Sequence, residues 1–300
     1  MSPLRLATRR SPLALVQAET VRARLVALGH ESEVVLIDTA GDRRRDVPLE
    51  SVGGSGIFAV EIQRAIFEGI ADVAVHSAKD LPSSTPRGLV LACVTDRRDP
   101  ADALVGLSLS ELALGATVAT GSPRRKALLL ERRPDLNVVG LRGNLDTRLT
   151  AVARDGIDAI ITAVSALERM GQEDLVSERL DTAWFVPQVG QGVLAMETRA
   201  SDEVTFEILS ALIEEEAMGA LLIERAFLQE LGAGCSIPAG ALATICGDVG
   251  SVSGVMVAVD GSRSVRASIE GAPKPELGRQ LAVTLRDHME GASLPGWEAR

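Results

Sequence analysis

A strand–helix pattern that occurs twice limits the fold of this chain more than any other feature. In the first copy, Ala7-Thr8 ends a predicted strand and Ser11-Pro12 begins the next helix. In the second copy, Ala119-Thr120 and Ser122-Pro123 stand in the same places. Ser at the N-cap and Pro at the first helical position form a frequent helix start. Together with the similar stretches GIADVAVHSAKDL and GIDAIITAVSAL, this repeat predicts two related α/β lobes that arose by duplication.

Each copy alternates strands and helices, as an open and mostly parallel sheet requires. The first copy reads as LRLAT, a helix from Ser11 to Gly29, SEVVLIDTAGD, GIFAVEIQRAIFEG and ADVAVHSAKD. The second reads as ATVAT, SPRRKALLLERR, LNVVGLRG, NLDTRLTAVARDG and DAIITAVSAL. We expect the later strand VLAME to cross back and complete the first sheet. This would give two lobes around a hinged cleft, with ligands beyond the carboxyl ends of the strands.

The last part of the chain has a different pattern. A long helical stretch begins at EVTFEILS and ends at GAGCSIPAG, after which ALATIC, GVMVAVDG and SVRASIEG alternate with the period of strands. A closing helix, PELGRQLAVTLRDHMEG, follows. The sequence therefore predicts a small α+β domain with a three-stranded antiparallel sheet. The predicted limits are 1–95 with 190–210 for lobe 1, 96–189 for lobe 2 and 211–300 for the C-terminal domain.

Composition excludes several classes of protein. The 300 residues are 46% hydrophobic and 24% charged, which is typical of a folded globular chain. With 41 acidic against 31 basic residues, no Tyr, five Phe and two Trp, the chain is unlike a nucleic-acid binder. No apolar run approaches the roughly 18 residues of a membrane helix, and the N-terminus does not resemble a signal peptide. We therefore expect a cytoplasmic protein.

Basic residues concentrate where predicted strands lead into helices. Helix N-termini present free N–H groups and a partial positive charge, so Arg side chains there build sites for carboxylate or phosphate. In a chain of net charge -10, such a focused cluster indicates a small polyanionic ligand in the cleft. The alternative, a solvated surface, stays open above all for Arg10 and for Arg43 to Arg45. The cluster comprises Arg9, Arg10, Arg43 to Arg45, Arg124, Arg125, Lys126, Arg142 and Arg148.

Two further stretches carry candidate chemistry. In HSAKD, Lys79 and Asp80 fall at the carboxyl edge of the sheet, where the carboxylate is a candidate acid, base or cation stabiliser and the alternative is a capping Asp. A hydrolase triad of His76, Ser77 and Asp80 is disfavoured, because triad members come from separate elements. The cysteines lack metal or disulfide spacing, so no metal site is predicted. Cys93 and Cys246 lie in apolar strands and are expected to be buried, whereas Cys235 lies in the glycine-rich loop GAGCSIPAG and is a candidate attachment point.

Nearly the whole chain resembles the porphobilinogen deaminase (hydroxymethylbilane synthase) family of tetrapyrrole and heme biosynthesis. The resemblance rests on LRLATRRSPLALVQAE, GIFAVEI, ADVAVHSAKDLP, GSPRRKA, LRGNLDTRL, VGQG and GAGCSIPAG, in the family order. It implies a transferase that condenses four porphobilinogen molecules head to tail with release of four ammonia molecules, and then hydrolyses off linear hydroxymethylbilane. It also implies two lobes like those of periplasmic binding proteins, and a third domain whose Cys235 holds a dipyrromethane cofactor through a thioether.

The resemblance also assigns roles to residues. Asp80 matches the catalytic aspartate, which binds pyrrole N–H groups and stabilises the positive charge that forms on a ring. Each pyrrole carries an acetate and a propionate, which calls for many Arg partners. The implied cofactor-binding residues are Cys235, Ser11, Lys79, Asp80, Thr120, Ser122, Arg124, Arg125, Arg142 and Gln191. The implied substrate-binding residues are Arg9, Arg142, Arg148 and Arg169.

Some positions depart from the family, and other functions remain as alternatives. Ser55 stands where many members have Lys, and Gly121 stands where a hydroxyl residue is frequent, so contacts of the loop from Arg43 to Ser55 are in doubt. A small-polyanion-binding two-lobe protein without catalysis would show the same fold. An acyl-transfer enzyme would need a His near Cys235 in sequence, and none is present. The resemblance implies porphobilinogen as substrate and a monomer, and leaves open a hand-over of product to the next pathway enzyme.

Overall fold

The first lobe is a five-stranded sheet flanked by helices. In the computed structural model, which describes residues 2–39, 57–152, 156–232 and 237–297, its strand order is β2-β1-β3-β10-β4. Four of the five strands run in the same direction, and β10, between β3 and β4, is antiparallel to both. The elements are β1 (Leu4–Arg9), α1 (Pro12–Ala27), β2 (Ser32–Ile37), α2 (Ile57–Phe67), β3 (Val73–Ser77), β4 (Leu89–Thr95) and β10 (Leu194–Arg199). The expectation that VLAME returns to complete this sheet is confirmed.

The second lobe repeats the arrangement of the first. Its strand order is β7-β6-β8-β5-β9, again with three parallel strands followed by an antiparallel one. The predicted strand DAIITAVSAL is too long, because the chain turns into a helix after Ala163. The elements are β5 (Asp102–Gly106), β6 (Thr117–Ala119), α3 (Pro123–Arg132), β7 (Asn137–Val139), α4 (Leu145–Ala151), β8 (Ala159–Ala163), α5 (Val164–Arg169) and β9 (Glu178–Arg179).

Two stretches of chain join the lobes, which we call the first crossing segment (residues 96–101) and the second crossing segment (residues 180–193). The first leads from β4 in lobe 1 to β5 in lobe 2, and the second returns from β9 to β10. They lie side by side, since the Arg98 N–H donates to the Gly192 carbonyl at 2.9 Å. Asp96 has φ of 52° and Gly192 has φ of 90°, so both segments bend sharply where they meet.

The C-terminal domain packs two helices on a three-stranded antiparallel sheet of order β11-β12-β13. Phe227, Met256 and Leu281 are fully buried in its core. The helices meet at Gly278, where an added Cβ would lie 1.9 Å from the Ile223 carbonyl oxygen. The elements are α7 (Glu215–Glu230), β11 (Ala239–Cys246), β12 (Val249–Val257), β13 (Ser264–Gly271) and α8 (Pro275–Val283).

The long helix predicted from EVTFEILS onward is in fact two helices. The first, α6 (Glu203–Ser210), buries Leu209 in the core of lobe 1. The chain then bends before α7, because Glu214 binds lobe 1: its N–H donates to the Val94 carbonyl at 3.0 Å. The α/β class with two lobes and a small α+β domain is confirmed, while the exact domain limits stay a prediction. No helix in the described ranges is long and apolar enough to cross a membrane.

Candidate active site

Lys79 and Asp80 lie on a short turn at the carboxyl edge of the lobe 1 sheet. Strand β3 ends at Ser77, and Ala78–Asp80 forms one turn of 3₁₀ helix, which we call the Asp80 turn. Asp80 is half-buried and lines a cavity of about 50 Å³ together with Thr8, Arg9, Ser11, Gln17 and Ser77. The placement predicted from the sequence is therefore found, at the edge where ligands of such sheets bind.

The neighbouring residues do not form a hydrolase triad. The hydroxyl of Ser77 and the amide of Gln17 exchange hydrogen bonds, with Gln17 Nε2 2.8 Å from Ser77 Oγ. His76 is buried and turns instead to Glu197, whose Oε2 lies 3.4 Å from His76 Nε2. His76 thus contacts Glu197 within the lobe 1 sheet, which agrees with the expectation that His76, Ser77 and Asp80 form no triad.

The hydroxyl residues of the two repeated helix starts act as caps. Ser11 Oγ accepts the Ala14 N–H at 3.3 Å, and Ser122 Oγ accepts the Arg125 N–H at 3.4 Å. Thr120 is buried, and its Oγ1 accepts the Ser122 N–H at 3.2 Å. These bonds satisfy amides at helix N-termini, which otherwise lack intrahelical partners.

Arg124 and Arg125 lie together on one buried carboxylate that the sequence analysis did not single out. Asp102 is fully buried, with Arg124 NH2 2.6 Å from its Oδ2 and Arg125 NH2 2.6 Å from its Oδ1. Arg124 also donates to the Val186 carbonyl at 2.7 Å, and Arg125 to the Ile161 carbonyl at 3.1 Å. Both cations lower the pKa of Asp102 to about 2, against the desolvation that would raise it. An acidic residue inside the apolar stretch ADALVG was the available signal.

Gln191 connects this buried cluster to the Asp80 turn. It is buried, and its Nε2 donates to Asp102 Oδ1 at 3.0 Å and to the Pro100 carbonyl at 2.7 Å. Its Oε1 accepts from Lys79 Nζ at 3.2 Å and from Arg125 NH2 at 3.3 Å. A single side chain from the second crossing segment therefore links a cation of each lobe.

Cations of both lobes lie near Asp80 and Arg148. Burial, together with the positive charges of Arg125, Arg9 and Arg142, lowers the pKa of Arg148 to about 10, and Asp80 opposes this shift. Burial, with the positive charges of Arg125 and Arg148, lowers the pKa of Lys79 to about 8, against the opposing charges of Asp80 and Asp102. Within the described part of the chain, no hydrogen bond or ion pair holds Arg142. A cluster in which cations outnumber carboxylates is electrostatically unfavourable unless an anionic ligand compensates the excess positive charge.

Arg169 is brought to the crossing segments rather than to the Asp80 cavity. Its Nε lies 3.0 Å from Asp96 Oδ2, and its NH2 donates to the carbonyls of Asp96 at 2.9 Å and Gly192 at 3.0 Å. One guanidinium from lobe 2 thus forms hydrogen bonds with both crossing segments. Its predicted contact with substrate stays a prediction.

The cysteines differ in accessibility. Cys93 is buried as expected, and burial raises the pKa of its thiol to about 12. The expectation that Cys246 is buried is wrong: it is exposed, because β11 turns Ala241 and Ala243 toward the core and Thr244 and Cys246 away from it. Both thiols are free. Among the described residues, no cluster of three His, Cys, Asp or Glu side chains could hold a metal ion.

Several predicted positions lie outside the described residues. These are Cys235, Arg43 to Arg45 and Ser55. Gly121, by contrast, is described, and it packs so tightly that an added Cβ would lie 2.7 Å from the Leu141 carbonyl oxygen. The local backbone thus accounts for glycine at this departure from the family.

Comparison with known proteins gives matches along nearly the whole chain. Residues 4–207 match the family profile described as "Porphobilinogen deaminase, dipyromethane cofactor binding domain", and residues 219–290 match "Porphobilinogen deaminase, C-terminal domain". Among solved structures, a periplasmic substrate-binding protein of an ABC transporter from Coxiella burnetii superposes with a TM-score of 0.44 at 14% identity, over 72% of this chain and 94% of that chain.

Full-length relatives agree with the family profiles. The porphobilinogen deaminase of Trichlorobacter lovleyi is 43% identical over 94% of this chain and 92% of its own length. That of Shouchella clausii is 43% identical over 98% of this chain and 97% of its own length. That of Roseiflexus castenholzii is 43% identical over 98% of this chain and 99% of its own. On these matches, the chain belongs to the porphobilinogen deaminase family of transferases.

Proposed function

We propose that this chain is a hydroxymethylbilane synthase that joins four porphobilinogen molecules head to tail and releases four ammonia molecules. The growing chain is attached to a dipyrromethane held by a thioether at Cys235, and hydrolysis then frees linear hydroxymethylbilane. The observation that carries the proposal is that Arg148 interacts with Asp80, Arg9 and Arg142, in a chain of this family. Cations from both lobes around one carboxylate suit substrates that carry several carboxylates on rings with N–H groups.

The described residues fit the cofactor. Dipyrromethane carries an acetate and a propionate on each ring, and the depressed pKa values of Lys79 and Arg148 indicate a site where added anions are favoured. Arg9, Arg142 and Arg148 would hold carboxylates, with charge-assisted bonds that also serve incoming substrate. When bound, the cofactor supplies the pyrrole carbon to which new rings are joined. Ser11, Thr120, Ser122 and Gln191 would hold the surrounding backbone and cations in place.

Asp80 is the proposed catalytic residue. An ionised carboxylate has acceptors only, so it can hold a pyrrole N–H that becomes more acidic as positive charge develops on the ring. The same oxygens can take up and return a proton during the condensation. Lys79 and Arg148 both interact electrostatically with Asp80, so two cations accompany the carboxylate at this position.

Arg124, Arg125 and Arg169 have internal partners. Arg125 links Asp102 to Gln191. We propose that Arg125 binds the cofactor and also holds the side chains of Gln191 and Lys79 in position. For Arg124 and Arg169, a cofactor or substrate carboxylate must compete with Asp102 and Asp96. Their predicted ligand contacts therefore require local rearrangement.

The alternative function, polyanion binding without catalysis, is not favoured. The family to which the chain belongs is one of enzymes, and a binder has no need of an acceptor carboxylate amid the cations that hold its ligand. We further propose that the enzyme works as a monomer in the cytoplasm and passes its product to the next enzyme of the pathway. The free thiols of Cys93 and Cys246 suit a reducing compartment.

Product stoichiometry with porphobilinogen tests the proposal. We expect four ammonia molecules for each linear tetrapyrrole, and Asp80→Asn should keep the fold while losing nearly all turnover. Asp260→Asn is the matched control, because Asp260 is an exposed turn residue that accepts from Ser262. Binding of porphobilinogen without ammonia release by the wild-type protein would contradict the function, and near-normal turnover of Asp80→Asn would remove Asp80 from the mechanism.

A further inference from the structure

The Asp80 turn rests on a short part of the second crossing segment, residues 188–191, which we call the linker turn. Gln188 Nε2 donates to the Lys79 carbonyl at 3.1 Å, and Gln191 Oε1 accepts from Lys79 Nζ at 3.2 Å. Between them, Gly190 has φ of 73°, and a Cβ added there would lie 2.9 Å from the Ala78 carbonyl carbon. Backbone therefore packs on backbone, and the place of the linker turn decides the place of Asp80.

A buried carboxylate of the C-terminal domain holds the linker turn. Glu224, in the middle of α7, is 3% exposed, and its Oε2 accepts the Gly190 N–H at 2.7 Å. Its Oε1 accepts the Ala243 N–H of β11 at 2.9 Å. Among the residues that the structure describes, the charged group that faces it is Arg97 of the first crossing segment, with NH2 3.9 Å from Oε1. Glu224 thus joins three parts of the molecule.

An ionised carboxylate satisfies both amides of this pair best, because each of its oxygens accepts one N–H. A Gln side chain must present its NH2 donor to one of them, and a carboxylic acid offers one of them only a weaker hydroxyl acceptor. A buried N–H facing a donor is strongly unfavourable, so the linker turn would shift. Burial raises the pKa of Glu224 to about 6, against Arg97 and both amides, so one acceptor is weakened in mildly acidic solution.

We propose that Glu224 is a positioning residue for the reaction, acting through Gly190 on the Asp80 turn. The inference rests on the proposed function. Helix α7, which carries Glu224, ends at Glu230, and Cys235 follows five positions later in the chain. Glu224 therefore connects the Asp80 turn, through Gly190, to the helix that precedes Cys235 in the chain.

The test compares Glu224→Gln with Glu215→Gln, an exposed Glu on the same helix. We expect Glu224→Gln to lower kcat about 10- to 100-fold, as small displacements of reacting groups do, with KM within about twofold of wild type. Glu215→Gln should match wild type. The intact mass of Glu224→Gln should still show the cofactor on Cys235, which separates positioning from loading.

The pH profile gives a second signature. The kcat of the wild-type enzyme should fall as the pH drops through about 6, because protonation of Glu224 weakens one of its two acceptors. Glu224→Gln has lost that acceptor at every pH, so its profile should lack this step. A purely structural role would change the melting temperature without removing a step from the profile.

Three results would overturn the inference. A loaded Glu224→Gln enzyme with wild-type kcat would do so, and so would one that retains the step near pH 6. If Glu224→Gln does not fold, Gln188→Ala replaces it as the test variant, because this change removes the hydrogen bond from the linker turn to the Lys79 carbonyl and leaves Glu224 paired. A lowered kcat at constant KM in Gln188→Ala supports the inference, and a wild-type kcat overturns it. If the wild-type protein shows no cofactor mass and releases no ammonia, the proposed function itself is wrong. This result distinguishes failure of the proposed function from failure of the inference about Glu224.

Discussion

Replacing Asp102 with Asn should destabilise the protein by about 3 kcal/mol at neutral pH. Asp102 is fully buried and carries the ion pairs of Arg124 and Arg125 as well as a hydrogen bond from Gln191. The variant leaves two buried guanidinium groups without their counter-charge. Removal of one partner from a buried ion pair typically costs about 3–5 kcal/mol.

The titration of Asp102 gives a second route to the same magnitude. The two Arg side chains lower its pKa from 3.8 to about 2, and a difference of about two pH units corresponds to roughly 2.5 kcal/mol. Because the folded-state pKa is depressed, this stabilisation is fully present above the unfolded-state pKa of 3.8 and is lost as pH falls through about 2. The gap between wild type and Asp102→Asn should therefore be constant from pH 8 to about 4 and shrink below that.

Urea unfolding followed by circular dichroism measures this gap. Asp135→Asn serves as the control, because Asp135 pairs with Arg133 near the surface and its loss should leave the midpoint close to that of wild type. A stability of Asp102→Asn within about 0.5 kcal/mol of wild type would refute the reasoning, since it would mean that Arg124 and Arg125 find equal partners elsewhere.

Other variants test the remaining assignments. Arg142→Leu should slow chain elongation about tenfold or more in single-turnover kinetics, as expected for a lost charge-assisted bond, and unchanged elongation would place Arg142 outside the cleft. Thiol labelling of the native protein should modify exposed Cys246 and spare Cys93, whose thiol pKa burial raises to about 12; equal labelling would contradict the burial of Cys93. Gly121→Ser should lower the free energy of unfolding by about 1–3 kcal/mol, because its Cβ would lie 2.7 Å from the Leu141 carbonyl oxygen. A wild-type melting temperature would show that the loop shifts to accommodate the Cβ.

Local patterns predicted the elements of this fold well. The Ser-Pro helix starts, the alternation in the C-terminal strands and the return of VLAME to lobe 1 all follow from short-range preferences or from the repeat. The break before α7 could not be read from periodicity, because it depends on Glu214 binding the Val94 carbonyl, a partner 120 positions away. Helix propensity alone favours one continuous helix there.

The site was predictable in its chemistry but not in its pairing. Lys79, Asp80, Arg142 and Arg148 fall where strands and helix starts placed them, at the edge between the lobes. The partners Asp96, Asp102 and Glu224 were not singled out, because the sequence does not show which cations or amides folding brings beside an acidic residue. For the same reason Arg124 and Arg125 looked like free anion binders in the sequence, although Asp102 already holds both.

The intact mass of the purified protein, measured under denaturing conditions beside Cys235→Ser, tests the central claim most directly. We predict a mass above that of the sequence by two condensed porphobilinogen units in the wild type, and no excess in Cys235→Ser. If the wild type carries no excess even after incubation with porphobilinogen, or if Cys235→Ser keeps it, then attachment of the growing chain at Cys235 is contradicted.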